Sequence, residues 1–200
     1  MQATSGTSLT EDDSAPVSAP SSTSHPRIWL WVAVAACTYL LDQSTKYWAE
    51  HNLDPGDPQQ VLGDLLQFRL THNPGAAFSM GTGYTVVLTA IAITVIVVCI
   101  RLARRLGSTG WAIALGLLVG GALGNVTDRL LRDPSPFRGH VVDFIEVPHW
   151  PVFNLADSAI CIAAILFVLL SARGIHLDGS REGRADDSGE QASTDTSSTS

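Results

Sequence analysis

The run YTVVLTAIAITVIVVCI at residues 84–100 decides the fold, because it is a continuous apolar stretch without a charged side chain. A buried helix of a soluble protein shows a polar face at the helical period, and this run shows no such face. At 1.5 Å of rise per residue, roughly 17 to 25 apolar residues cross the hydrocarbon core of a bilayer. The run therefore predicts a transmembrane helix.

Three further apolar segments are long enough to span a membrane, at residues 28–47, 111–127 and 155–171. The 200-residue chain is 46% hydrophobic and only 16% charged, which also favours a membrane protein. The loop after the first span mixes apolar and polar residues, as a small sheet or a surface-lying segment does. The predicted fold is an all-α membrane protein with four transmembrane helices and a small extracytoplasmic β or amphipathic cradle.

The two ends of the chain differ from the rest in composition. Residues 1–25 and 174–200 are rich in small and polar residues, and both are expected to be disordered tails around a membrane domain at 26–173. Much of the net charge of −7 lies in these tails, and no nucleic-acid partner is expected. The first apolar run follows an acidic leader rather than a short basic one, so we expect it to remain in the mature protein.

Basic residues near the span ends predict the orientation. The short connection between the second and third spans carries Arg101, Arg104 and Arg105 and no acid, which is typical of a cytoplasmic loop. With four spans, both termini are then cytoplasmic. Loops 48–83 and 128–153 are expected to face outwards, on the extracytoplasmic side of the membrane.

This topology brings polar residues from all four spans to the outer membrane face. Ionisable groups at membrane depth are costly, and they are functional candidates for that reason. The candidates are Asp42, Lys46, Asn73, Asn125, Asp128, Arg129, Asp143, Asn154 and Asp157.

Several of these residues also have a structural interpretation. Asn154 and Asp157 have the spacing of a helix N-cap and its acidic first turn, and for this pair alone capping is the preferred interpretation. Asp128 is expected to pair with Arg129 or Lys46 and hold spans together. Glycines at every fourth position from 116 to 124 predict a face on which another helix packs closely.

Nucleophilic and metal-dependent chemistry is disfavoured. Ser44 and Lys46 stand two residues apart and do not face each other on a helix. The histidines lack ligand spacing, the cysteines lie in apolar runs, and neither a metal nor a cofactor is expected. Two carboxylic acids that share a site remain attractive, because their repulsion keeps one protonated while the other activates water. From the residues alone, Asp128 stays a candidate for this pair.

Five motifs carry a resemblance to a known family across residues 28–172. They are DQSTK at 42–46, NPGAAF at 73–78, GGALGNVTDR at 120–129, VVDF at 141–144 and FNLADS at 153–158. In this order and spacing they resemble the lipoprotein signal peptidase (signal peptidase II) family, a group of globomycin-sensitive aspartyl endopeptidases.

The resemblance implies that Asp143 and Asp157 are the catalytic pair. It also implies that Asn125, Asp128, Arg129, Asn154 and Ala156 shape the site, and that Asp42, Lys46, Asn73 and Gly75 support it or contact substrate. The implied substrates are prolipoproteins with a diacylglyceryl-modified cysteine, cleaved just before that cysteine. Membrane lipid is the expected surrounding, and the enzyme is expected to act as a monomer.

Two other functions compete with this interpretation. A transporter could use Asp42, Asp128, Asp143 and Asp157 as a proton relay, but relay groups are expected at several depths rather than at one face. A non-catalytic membrane scaffold would need only the glycine-lined third span. It leaves the clustered acids unexplained.

Overall fold

A computed structural model describes residues 26–75, 85–134 and 136–182. Within these residues, four helices and three strands follow one another. They are α1 (Pro26–Asn52), β1 (Gln59–Gln60), β2 (Gln67–Asn73), α2 (Thr85–Ala103), α3 (Thr109–Leu131), β3 (Val141–Glu146) and α4 (Leu155–Ala172).

Helix α3 is the centre of the bundle and packs against the other three helices. Its glycines allow this approach. A Cβ atom added at Gly120 would lie 2.5 Å from the carbonyl oxygen of Ala35 on α1, and one added at Gly121 would lie 2.6 Å from that of Ala156 on α4. The predicted glycine packing face is therefore confirmed, and Gly121 extends it to α4.

Within the described residues, three helices are long and apolar enough to cross a membrane, namely α2, α3 and α4. The remaining helix, α1, carries Asp42 and Lys46 near its middle. Both of these side chains are fully buried in the bundle. The structure is thus mostly helical, with three candidate spans and one small sheet.

The sheet lies at one end of the bundle and has the order β1-β2-β3, with antiparallel pairing throughout. Its apolar face, with Leu70, Val142 and Phe144, packs against Ala49 and Leu53 at the end of α1. The VVDF motif lies at the start of β3, so Asp143 is carried by a strand. The mixed loop after α1 provides β1 and β2, so the expected sheet is present.

The chain between β3 and α4 folds back on the strand. Phe153 pairs with Ile145, with hydrogen bonds of 2.8 Å from the Ile145 amide and 3.0 Å from the Phe153 amide. This return leaves Asn154, the residue before α4, beside the middle of β3. The sequence motifs around 143 and 157 therefore meet through the backbone pairing of Phe153 with Ile145.

Residues 174–182, placed in the C-terminal tail by their composition, form a turn with a bridge between Ile175 and Arg181. The turn contacts the connection between α2 and α3, because Gly107 and Ser108 donate backbone hydrogen bonds to the carbonyl oxygen of Leu177. Trp111 adds a 2.7 Å hydrogen bond from its indole nitrogen to Ile175. Local pairing thus orders the start of this polar segment.

Candidate active site

Asp143 and Asp157 lie on either side of Asn154, which contacts both. The Nδ2 atom of Asn154 donates to Oδ1 of Asp143 at 2.6 Å, and its Oδ1 accepts from the backbone amide of Asp157 at 2.9 Å. The backbone amide of Asn154 donates to Oδ2 of Asp157 at 3.3 Å. The last two contacts form a capping box at the start of α4, so the capping interpretation is confirmed. The same cap joins the two acids.

A second asparagine bridges the site from α3. The Nδ2 atom of Asn125 donates to Oδ1 of Asp157 at 2.8 Å. Its Oδ1 accepts from Lys46 at 2.9 Å and from Asn154 at 3.2 Å. Because the amide oxygen faces two donors, its nitrogen is directed towards the carboxylate.

Asn73 holds the other oxygen of Asp143. Its Nδ2 donates to Oδ2 of Asp143 at 2.8 Å, and its Oδ1 accepts from the amide of Gly75 at 2.8 Å. Gly75 has a φ of 96°, a conformation that glycine adopts without strain. The glycine therefore orients the asparagine, and the two residues lie beside Asp143. Residues 76–78 of the same motif lie outside the described residues.

Lys46 lies in a buried ionic cluster below the two acids. Its ammonium is 2.8 Å from Oδ2 of Asp42 and 2.8 Å from Oδ2 of Asp128, and all three side chains have 0% exposure. With Asn125, the ammonium has a partner for each of its three protons. This agrees with the expected structural role of Asp128. Ser44 lies on the exposed side of α1, away from Lys46.

The cluster is joined to the start of α4 by Asp42. Oδ1 of Asp42 accepts from the backbone amide of Ala156 at 2.9 Å, which satisfies one of the free amides in the first turn of the helix. Asp42 also fits closely against α3, because a Cβ atom on Gly124 would lie 2.2 Å from its Oδ2. The position of α4, and with it Asp157, therefore depends on a side chain of α1.

Arg129 interacts electrostatically with Asp157, Asp128 and Asp143. Its Nη1 donates to the backbone oxygen of Asn125 at 3.2 Å. Its buried Nε has no hydrogen-bond partner among the described residues. The guanidinium therefore keeps one donor free beside the acids.

The two acids differ in their surroundings. Burial raises the pKa of Asp143 to about 6, and the nearby Asp157 acts in the same direction, while hydrogen bonds from Asn73 and Asn154 oppose both. Asp143 is 2% exposed. It nevertheless contributes to the lining of an open cleft of about 220 Å³, together with Thr71, His72, Asn73, Pro74, Pro151 and Val152. The cleft gives a peptide access to one of the acids.

Three residues of the site were missed by sequence reasoning. Gln43 donates to Oδ2 of Asp42 at 3.2 Å and to Oδ1 of Asp128 at 3.4 Å. Arg132 donates to Oδ1 of Asp128 at 2.8 Å and also binds Glu50. The helical spacing of four between residues 128 and 132 was a usable signal. Nothing in the sequence connects Glu50 to the other two.

Two solved structures define the class of protein. Both are described as bacterial membrane enzymes, determined by the in meso method at 2.3 and 1.9 Å resolution. The first has a TM-score of 0.65 and 29% identity, over 72% of this chain and 88% of that one. The second has a TM-score of 0.64 and 29% identity, over 72% and 93%. The fold is that of a membrane enzyme.

The family follows from sequence comparison. The family model described as Signal peptidase (SPase) II matches residues 34–173. A lipoprotein signal peptidase of Rhodococcus jostii is 46% identical over 173 residues, which are 86% of this chain and 87% of the relative. One of Streptomyces coelicolor is 52% identical over 153 residues, 76% and 75% of the two chains. The chain belongs to the signal peptidase II family, which confirms the family that the five motifs predicted, and it is a peptidase.

Proposed function

We propose that this peptidase cleaves diacylglyceryl-modified prolipoproteins just before the modified cysteine, with Asp143 and Asp157 as its catalytic pair. The observation that carries the proposal is the single asparagine, Asn154, that binds both acids. Two carboxyl groups held by one residue are close enough to influence each other's proton. The relatives named lipoprotein signal peptidase supply the substrate class.

The two acids have separate roles in the proposed reaction. Asp143 has the raised pKa and carries the shared proton, which it donates to the scissile carbonyl oxygen. Asp157, whose Oδ1 accepts a hydrogen bond from Asn125, takes a proton from the attacking water. When the tetrahedral intermediate collapses, the C–N bond breaks, Asp157 gives its proton to the leaving amine, and a hydroxyl group of the intermediate returns a proton to Asp143. No covalent intermediate forms.

Arg129 is assigned to stabilise the negative charge that develops on the carbonyl oxygen of the substrate in the transition state. Its unpartnered Nε lies in the same electrostatic environment as the two acids. A donor in a dry site stabilises an oxyanion more strongly than a donor in water. Arg129 is therefore assigned to the substrate's carbonyl or to the peptide next to it.

Helix α1 is proposed as the fourth membrane span. Its exposed residues between 32 and 48 form one stripe at helical spacing, which includes Val32, Leu40, Leu41, Tyr47 and Trp48. Its charged residues Asp42 and Lys46 point inwards and are paired. The helix therefore presents an apolar surface to lipid although its mean hydropathy is lowered by the buried pair.

The arginine-rich connection after α2 is then cytoplasmic, and the sheet and the acids lie at the outer face of the inner membrane. This location suits a substrate whose acyl chains stay in the bilayer while its peptide bond reaches the boundary. The enzyme is proposed to act as a monomer in this membrane. Globomycin is expected to inhibit it.

The test is cleavage by purified protein in detergent of a prolipoprotein that carries the diacylglyceryl group. Asp143→Asn and Asp157→Asn should each lower kcat by about 10³-fold or more, because an acid and a base each contribute about 10²- to 10⁴-fold. The matched control is Asp178→Asn, in the turn at the far end of the chain, which should retain wild-type activity. Full activity of both active-site variants would refute the assignment.

A further inference from the structure

The buried ionic cluster is connected to the surface by one pair of side chains. Arg132 on α3 donates from Nε to Oδ1 of Asp128 at 2.8 Å, and from Nη1 to Glu50 on α1. Asp128 has 0% exposure, whereas the side chains of Arg132 and Glu50 are 24% and 26% exposed. The hydrogen bonds of this pair therefore connect a water-accessible part of the surface with the carboxylate of Asp128, which water does not reach.

Charge balance shows why this arginine matters. The cluster of Asp42, Lys46 and Asp128 contains two carboxylates and one ammonium, all of them fully buried. Arg132 adds a positive charge that is hydrogen-bonded directly to Asp128, beside the electrostatic interaction of Asp128 with Arg129. Without Arg132, the buried carboxylate would lose a charge-assisted hydrogen bond at Oδ1, which is strongly unfavourable.

Asp128 is also the point at which the cluster touches the strand that carries Asp143. Its Oδ2 accepts from Lys46 and, at 3.4 Å, from the backbone amide of Val142, the residue before Asp143. Its Oδ1 accepts from Arg132 and, at 3.4 Å, from Gln43. Removal of Arg132 would leave Oδ1 with one long hydrogen bond, and the carboxylate would turn towards Lys46.

The displacement would reach the other acid by a second route. Lys46 donates to Oδ1 of Asn125, and this contact helps to direct the Asn125 amide nitrogen towards Asp157. A lysine drawn towards Asp128 would weaken that contact. Both catalytic acids thus depend on the same carboxylate, one through Val142 and the other through Lys46 and Asn125.

On this basis we infer that Arg132 and Glu50 are positioning residues for the proposed reaction: Glu50 orients Arg132, and Arg132 fixes Asp128 so that the two catalytic acids keep their separation. The inference rests on the proposed function. Neither residue lines the cleft beside Asp143; both line a neighbouring cavity of about 400 Å³, and His72 lines the cleft and the cavity alike. The pair acts on the chemical step through its hydrogen bond to Asp128.

The test compares Arg132→Gln, Arg132→Lys, Glu50→Gln and the double variant Glu50→Gln/Arg132→Gln in the detergent cleavage assay. Arg132→Gln should lower kcat about ten- to a hundredfold with KM unchanged, because a shift of about 1 Å at reacting groups costs up to about 10²-fold. Arg132→Lys should recover part of the loss, since it restores the charge but not the two-sided contact. The double variant should be no slower than Arg132→Gln, because both changes break the same series of contacts, from Glu50 through Arg132 to Asp128.

The matched control is Arg69→Gln, which breaks the 2.9 Å ion pair between Arg69 and Glu146 on the same sheet. This pair has no contact with the buried cluster, and its loss should leave kcat unchanged. Thermal unfolding of every variant distinguishes a loss of kcat caused by misplaced catalytic groups from one caused by unfolding. Glu50→Gln should disturb folding less than the Arg132 variants, because Glu50 is partly exposed and does not contact the buried cluster directly.

Three outcomes would overturn the inference. They are a wild-type kcat in Arg132→Gln, a change in KM with kcat preserved, and additive losses in the double variant. Asp143→Asn, assayed beside these variants, reports on the proposed function itself. An inactive Asp143→Asn with a fully active Arg132→Gln would reject the positioning role alone.

Discussion

Gly124 on α3 is the position where a single added methyl group should damage the site most directly. In Gly124→Ala the new Cβ would lie 2.2 Å from Oδ2 and 3.0 Å from Cγ of Asp42. Ordinary contact needs about 3.5 Å, so the carboxylate or the helix must move by about 1 Å. Asp42 cannot yield freely, because it binds Lys46 at 2.8 Å and the Ala156 amide at 2.9 Å.

The expected consequence is a loss of both stability and activity. Overpacking of a close helix contact costs about 1–3 kcal/mol. A shift of α4 by a similar distance moves Asp157 relative to Asp143 and should lower kcat up to about 10²-fold. Thermal unfolding in detergent and cleavage of a diacylglyceryl-modified prolipoprotein measure the two effects.

Gly110→Ala is the matched control on the same helix. Its Cβ would meet the side chain of Leu170, at 2.8 Å from Cδ2 and 3.4 Å from Cδ1, which are the ends of a side chain that can rotate away. Both variants exchange the same residue types within α3, so the intrinsic helix preference is equal in the two. If Gly124→Ala had the stability and kcat of Gly110→Ala, the conclusion that Asp42 is held rigidly by Lys46 and the Ala156 amide would be refuted.

Three further predictions concern protons and metals. Burial raises the pKa of Asp143 to about 6, and this residue is assigned the proton, so kcat/KM should fall as the pH rises through about 6. If kcat/KM fell towards low pH instead, Asp143 would be the base and the roles of the two acids would have to be exchanged. Asn73→Ala removes a hydrogen bond that favours the ionised form, so this limb of the pH profile should move to higher pH, and an unmoved limb would contradict the contact. Incubation with a chelator should leave the cleavage rate unchanged, since two acids suffice for the proposed chemistry; inhibition that added metal reverses would argue for a different mechanism.

The stability of the protein should depend on the same proton. The folded-state pKa of Asp143 lies above its ordinary value of 3.8, so the folded chain binds the proton more tightly than the unfolded chain. The stabilising contribution is complete below pH 3.8 and is lost as the pH rises through about 6. Asp143→Asn cannot ionise, and its unfolding temperature should decline less over this range; equal declines would contradict the burial of the charge.

The sequence was sufficient for the helices and for the residue types of the site. Long apolar runs have few alternatives to a membrane helix, and charged residues near one membrane face must find partners. For this reason α2, α3 and α4 were expected close to where they lie. The glycine spacing of α3 likewise indicated a packing face before any contact was known.

The sequence was not sufficient to predict the contacts that form because the segment after β3 folds back and pairs with β3. By chemistry alone Asp128 stayed a candidate beside Asp143, and only the family resemblance separated them. In the structure Asp128 is surrounded by Lys46, Arg132 and Gln43, whereas Asp143 lines a cleft. The backbone pairing of Phe153 with Ile145, which brings Asn154 beside Asp143, is not visible in any side-chain pattern.

The different surroundings of Asp128 and Asp143 explain why this membrane enzyme has so many charged residues at one end of its helical bundle. A carboxylate that must change its protonation state needs an open side and few fixed cations, and Asp143 has amide donors from Asn73 and Asn154 rather than a salt bridge. A carboxylate that must hold helices in place needs the opposite, and Asp42 and Asp128 share a buried ammonium. Because Asn125 contacts both Lys46 and Asp157, the rigid charges set the position of the reactive ones without neutralising them. Exchange of Lys46 for an apolar residue should therefore abolish activity even where the folded protein survives, since Asp42 and Asp128 would lose the ammonium that both bind and Asn125 would lose the donor that directs its nitrogen towards Asp157.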